Sequence, residues 1–201
     1  MQPWHIAAVL GIEIKSVMAQ RKLDMHQELV AKLRQHDRGA QFEAYQLYST
    51  AMYNTALRIV QSEADAEDAL QEAFLAAFTK IEQYLGDSTF GAWLKRIVVN
   101  KCLNVLQARK ASFVPLEDAP LAQMEYQGSE DASPLWNVDQ VMRAVNALPD
   151  GYRVVFSLYL LEGYDHREIA EILGITEGGS KSQFNRAKQK VREILTVQSY
   201  V

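Results

Sequence analysis

Charge in residues 59–110 is sorted by segment, and the sorting coincides with helical periodicity on both sides. From Ile59 to Thr79 there is no Lys or Arg after Arg58, yet Glu63, Asp65, Glu67, Asp68 and Glu72 fall within ten residues. From Ser88 to Lys110 the balance inverts: Lys95, Arg96, Lys101, Arg109 and Lys110 stand with no acid among them. In the acidic segment Ala66, Ala69, Leu70, Ala73, Phe74, Ala77 and Ile81 recur at three- and four-residue steps, the spacing of one helix face. Ser62 sits three residues before Asp65 as an N-cap would, and acids in a first turn suit the positive end of the helix dipole. The basic segment puts Phe90, Leu94, Ile97, Val98, Cys102, Val105 and Leu106 on an apolar face, with Ser88 as its expected cap. Two neighbouring helices of opposite charge suit two partners, one basic and one anionic.

At about 100° per residue, Arg96, Asn100, Asn104, Gln107 and Lys110 line up within about 120° of arc, and Trp93 falls in the same arc. Cations for phosphate, amides for base edges and an indole for stacking make a row suited to nucleic acid. Leu103 also points into that row, and a solvated face on an ordinary bundle helix is the alternative.

Composition narrows the class. A chain of 201 residues has room for one large or two small domains. No apolar run approaches the ~20 residues of a membrane helix, and no basic segment precedes the apolar run Ile6–Ile12 as it would in a signal peptide. The single cysteine, Cys102, allows no disulfide framework, and His5, His26, His36 and His166 are scattered, so no metal or cofactor is expected. The expected location is the cytoplasm. A net charge of −4 disfavours indiscriminate coating of nucleic acid and fits a binder that acts through defined surfaces.

In chain order, residues 1–24 carry a weak helical pattern, and the clear amphipathic pattern begins at Met25. Leu29 and Leu33 mark one helix; Phe42, Tyr45, Tyr48, Met52, Ala56 and Ile59 step along a second, the break falling near Asp37-Arg38-Gly39. A helical domain over 25–110 is expected. From Ala111 to Met142 there is again no Lys or Arg, while Glu117, Asp118, Glu125, Glu130 and Asp131 appear with Pro115, Pro120 and Pro134, so 111–134 reads as an acidic flexible linker. A second helical domain occupies 135–201. There Val138, Val141, Met142, Val145 and Leu148 form one amphipathic helix, and Val154, Val155, Leu158, Tyr159 and Leu161 a second, ended by Gly163. Asp165 and Glu168 have capping-box spacing for a short helix His166–Leu173, and Ala170, Gly174 and Ile175 supply the turn of a helix-turn-helix. The last helix turns Phe184, Ala187, Val191, Ile194 and Leu195 inward and Lys181, Ser182, Asn185 and Arg186 outward near its N-terminus, where a recognition helix meets bases. The expected fold is all-α: two small helical domains joined by the linker.

With these residues in view, the chain resembles a bacterial RNA polymerase sigma factor of the extracytoplasmic-function (ECF) group of the sigma-70 family, from about Met25 to Leu195. DAEDALQEAF followed by F-x-x-WL-x-x-I-x-x-N is similar to the family's region 2, and LPDGYRVVFSLYLLEGYDHREIAEILGITEGGSKSQFNRAKQKVREIL to its region 4. The resemblance implies a factor that binds core RNA polymerase and directs promoter-specific initiation. It implies polymerase docking through Asp68, Gln71, Glu72, Phe74 and Phe78. It implies melting of the −10 promoter element near Trp93, Arg96, Asn100 and Asn104, and reading of the −35 element by Lys181, Ser182, Asn185 and Arg186. It also implies an anti-sigma factor as a further partner and a linker that runs through the polymerase cleft. Because the resemblance begins almost at Met25, that residue is the expected biological start. Three positions depart from the family pattern: Asn104 where Asp is usual, Gln107 where a basic residue is common, and Gly179-Ser180 where Thr-Val is usual. Two rivals predict something else. A conventional two-domain regulator would need a βαβ receiver or ligand domain in front. An enzyme built on Asp65, Glu67, Asp68 and Glu72 would need a convergent His, Cys or Gly-rich loop.

Overall fold

A computed structural model describes residues 26–109 and 136–198, and every regular element in them is helical. The expected start at Met25 and the expected linker 111–134 lie outside the described residues. A first helix, α1, spans 26–34. Asp37 then caps α2 (Arg38–Val60), its carboxylate accepting from the Ala40 N–H at 2.7 Å. Gln61 closes α2 in the left-handed region, and Ser62 starts α3 (Glu63–Thr79) by accepting from the Asp65 N–H at 3.3 Å, as expected from the sequence. A 3-10 turn, Ile81–Gln83, leads to α4 (Phe90–Ala108).

The cap of α4 is Thr89 rather than Ser88. Thr89 lies directly before the first helical residue in extended backbone, and its hydroxyl accepts from the Ala92 N–H at 3.2 Å. The Ser88 carbonyl is occupied instead by the Tyr84 hydroxyl at 2.6 Å.

Helices α2, α3 and α4 pack pairwise against one another. Their shared core is Ala44, Met52, Ala56 and Ile59 from α2, Ala66, Ala69, Ala73, Phe74 and Ala77 from α3, and Phe90, Leu94, Val98, Cys102 and Leu106 from α4. The alanines let two backbones approach closely. The C-terminal part of the expected stripe on α2 is buried, Met52, Ala56 and Ile59, but its start is not: Phe42 is 63% and Tyr45 41% exposed, and Ala40 and Ala44 take the inner face there. Leu103, expected in the polar row of α4, is buried together with Val99, so the apolar face of α4 is wider than its clearest periodicity. Gly91 permits the crossing of α4 over α2, since a Cβ there would lie 2.9 Å from Cε1 of Tyr48.

The second half begins with α5 (Val138–Asn146), held by a reciprocal Asn137/Gln140 capping box. Val138 is 77% exposed and does not join the core; Val145 and Leu148 do. Pro149 precedes α6 (Asp150–Phe156), which runs on through a π-helical turn, Ser157–Leu161, before Gly163 adopts φ +80°. The Asp165/Glu168 box opens α7 (His166–Leu173), both bonds at 2.8 Å, and Gly174 closes it in the left-handed region. Helix α8 (Glu177–Gln198) then packs on α5, α6 and α7 through Phe184, Ala187, Val191 and Leu195.

The two halves touch through polar groups, some of them buried. Arg153, at the start of α6, donates to the carbonyls of Leu148 (2.9 Å) and Ile59 (3.2 Å) and to Asp150 (2.6 Å). Gln61 donates to the Asn146 carbonyl at 2.7 Å. Glu162, its side chain 3% exposed, accepts from Arg58 at 2.5 Å, Lys95 at 3.0 Å and Thr55 at 3.2 Å. Burial alone would push the Glu162 carboxyl up, but the bonds from Arg58 and Lys95 outweigh it and hold the group below the ordinary Glu value.

Candidate nucleic-acid and partner interfaces

The acidic segment forms the outer face of α3. Asp68, Gln71 and Glu72 are exposed and Phe78 is half-buried. Phe74 does not reach the surface: it is 3% exposed, 4.9 Å from the Tyr45 ring and 5.7 Å from that of Phe78, so it supports the face from beneath. Beside these residues runs a groove between α2 and α3, lined by Tyr45, Ser49, Thr50 and Tyr53 on one wall and Glu67, Leu70 and Gln71 on the other. Not all the acids are equally available. Glu72 is paired with Lys101 at 2.9 Å and Asp65 with Arg109, whereas Glu67 and Asp68 have no ion pair among the described residues. A groove with an aromatic wall and two uncommitted carboxylates suits a basic, partly apolar helix.

Sequence reading missed Tyr45 as part of this surface. The available signal was the pair Ala40 and Ala44, which continues the Met52 and Ala56 register toward the helix start and leaves Phe42 and Tyr45 on another side of α2.

On α4, Arg96, Asn100, Asn104 and Gln107 are exposed along one side, while Lys110 lies outside the described residues. Trp93 is half-buried, its ring 5.5 Å from Tyr84 and 5.7 Å from Phe90, so it braces the start of α4 as much as it borders the polar row. Arg96 lies 3.8 Å from Glu171 of α7, both well exposed, a pair of little intrinsic strength. Behind this row, burial pushes the Cys102 thiol up to about 12, which makes it an inert core group and not a nucleophile.

At the start of α8, Thr176 accepts from the Gly179 N–H at 2.9 Å. Lys181 and Asn185 are exposed, Ser182 and Arg186 half-buried, with Phe184 and Ala187 holding the opposite side in the core. Lys181 pairs with Glu177 one turn back at 2.6 Å, and Lys188 lies over the Phe184 ring at 5.4 Å. The four residues expected to read DNA therefore share one outward face at the end of the helix that would enter a groove. Among the described residues no group of His, Cys, Asp or Glu is placed to hold a metal ion, and no helix is long and apolar enough to cross a membrane.

Comparison with known proteins bears on the same two halves. The family described as Sigma-70 region 2 matches residues 44–112, and Sigma-70, region 4 matches residues 139–191. The ECF RNA polymerase sigma factor SigM of Mycobacterium tuberculosis is 31% identical over 169 residues, covering 84% of this chain and 83% of the relative. The ECF RNA polymerase sigma-E factor of Escherichia coli K12 is 28% identical over 176 residues, covering 82% and 91%. Two solved structures share the fold: the sigma factor RpoE from Bartonella quintana in complex with the anti-sigma factor NepR, and CnrH in complex with the cytosolic domain of CnrY. The first has a TM-score of 0.54 at 22% identity, over 77% of this chain and 96% of that one; the second has 0.53 at 20%, over 86% and 97%. An acidic region 2 face and a region 4 helix-turn-helix thus stand in the order of these relatives, and the chain belongs to the ECF sigma factors of the sigma-70 family, which direct RNA polymerase to begin transcription at particular promoters.

Proposed function

We propose that the three faces divide the work of initiation. Asp68, Gln71 and Glu72, with Phe78 and the supporting Phe74, dock core RNA polymerase beside the α2–α3 groove. Arg96, Asn100 and Asn104, bordered by Trp93, engage the melted −10 element. Lys181, Ser182, Asn185 and Arg186 read the −35 element from the major groove. The observation that carries this division is the outward face at the start of α8, where cationic and amide side chains stand together over a well-packed apolar side.

The factor acts in the cytoplasm and performs no catalysis itself; the polymerase does the chemistry. Its domains are 25–110 and 135–201, and the acidic stretch 111–134, outside the described residues, joins them and threads the polymerase cleft. An anti-sigma factor is the third partner, after core polymerase and promoter DNA, supported by the two similar proteins whose structures are complexes, one of them with a named anti-sigma factor.

Site-specific photocrosslinking tests the assignment. A crosslinking side chain at Asn185, in the chain assembled with core polymerase on promoter DNA, is expected to label the −35 duplex, and one at Asn100 the −10 strand. Exchange of the two labels, or labelling of neither element, would contradict it.

A further inference from the structure

The first turn of α8 is tied to the first turn of α7 by a polar side-chain contact. Ser180 is fully buried, and its hydroxyl is hydrogen-bonded to Nδ1 of His166 at 2.9 Å, fourteen residues away in sequence. The His166 ring is itself fixed, stacked on Tyr159 at 4.4 Å with 12° between planes and edge-on to Phe184 at 5.6 Å. Burial, and then the nearby Lys181 ammonium, lower the pKa of His166, while Glu177 and Asp165 act in the opposite sense; the ring is neutral at pH 7.

A buried serine at this position decides what holds the helix. An apolar contact is non-directional and tolerates small rotations, whereas a buried hydroxyl must meet its partner within a narrow range of distance and angle or remain unpaired at a cost. A chain of contacts therefore runs from Tyr159 through His166 to Ser180. Ser180 directly precedes Lys181 and Ser182, the first of the residues assigned to base reading.

We propose that His166 and Ser180 are a positioning pair that fixes the rotation and depth of the first turn of α8 for base recognition. Neither touches DNA; both act through Lys181, Ser182 and Asn185. The inference rests on the reading of α8 as the −35 helix.

The test uses the full chain assembled with core RNA polymerase and a pool of promoter duplexes randomised at the −35 element, sequencing the bound fraction. The wild-type holoenzyme is expected to enrich a preferred −35 sequence. His166→Phe keeps a ring for stacking and removes the hydrogen bond; Ser180→Ala removes the hydroxyl. Each is expected to reduce enrichment about tenfold, the size of one lost buried hydrogen bond, with binding to core unchanged. His166→Asn, which places a nitrogen near the position of Nδ1 but cannot stack as the ring does, is expected to keep most of the enrichment. Enrichment by the His166→Phe and Ser180→Ala chains equal to that of wild type would overturn the pair, as would His166→Asn failing as badly as His166→Phe. Should His166→Phe not fold by circular dichroism, Ser180→Ala decides alone. No enrichment by the wild type would instead remove the −35 assignment of α8, and the pair with it.

Discussion

Asp68 shows how much a single position can decide. It is exposed, unlike Phe74, and has no ion pair among the described residues, unlike Asp65 and Glu72, so no described cation offsets it on the proposed docking face. Asp68→Lys reverses that charge without removing a core contact. Core-polymerase affinity is expected to fall about tenfold or more, with the helical circular dichroism signal intact, since opposed charges across an interface cost more than a lost pair. Titration of fluorescently labelled chain with core polymerase measures it. At Glu72 the same reversal should do less, because Lys101 already holds that carboxylate at 2.9 Å and would itself be released.

Caps and faces, at the scale of the element, separate what the sequence spelled out from what only packing decides. The caps at Ser62 and at Asp165/Glu168 were legible because the capping residue and its third-following partner both stand in the sequence. At 88–89 two hydroxyl residues in a row could each cap α4; the Thr89 hydroxyl accepts from the Ala92 N–H, while the Ser88 hydroxyl donates to the Thr89 carbonyl. Thr89→Ala is thus expected to lower stability by about 0.5–2 kcal/mol in urea denaturation, and Ser88→Ala by much less. Along α2 the expected Met52, Ala56 and Ile59 are buried, but at its start aromatic and alanine periodicities compete, and Ala40 and Ala44 are buried there in place of Phe42 and Tyr45. Leu103 went the same way, since the arc of α4 that is buried depends on helices packed on two sides of it. The outward residues of α8 were legible because Phe184, Ala187, Val191 and Leu195 leave no second choice of face. The His166–Ser180 contact was not, because the two side chains meet only once α7 and α8 are in place.

Taken as a whole molecule, the two halves share a contact centred on one buried carboxylate. Glu162 gathers Arg58, Lys95 and Thr55 from the first half, and Lys95 adjoins Arg96 on the helix proposed to engage the −10 element. Glu162→Gln keeps the shape and removes the charge, leaving two cations partly buried without their counterion. It is expected to weaken the contact between halves by on the order of 1–3 kcal/mol, read as a longer or broader distance between spin labels on α2 and α6. Because the Glu162 pKa is lowered in the folded chain, its contribution is fully present above the ordinary value of 4.5 and is lost as pH falls through the lower folded value. The wild-type label distance should therefore lengthen on acidification below about pH 4.5, and that of the Gln variant should respond less. The most direct test of the function itself is transcription by purified core RNA polymerase from the chain's own host, on genomic fragments of that host, with and without the purified protein. Addition of the chain is expected to yield transcripts from a small set of discrete start points that core alone does not produce, and Arg186→Ala should reduce them. An unchanged, unspecific transcript pattern in the presence of saturating protein would contradict the assignment.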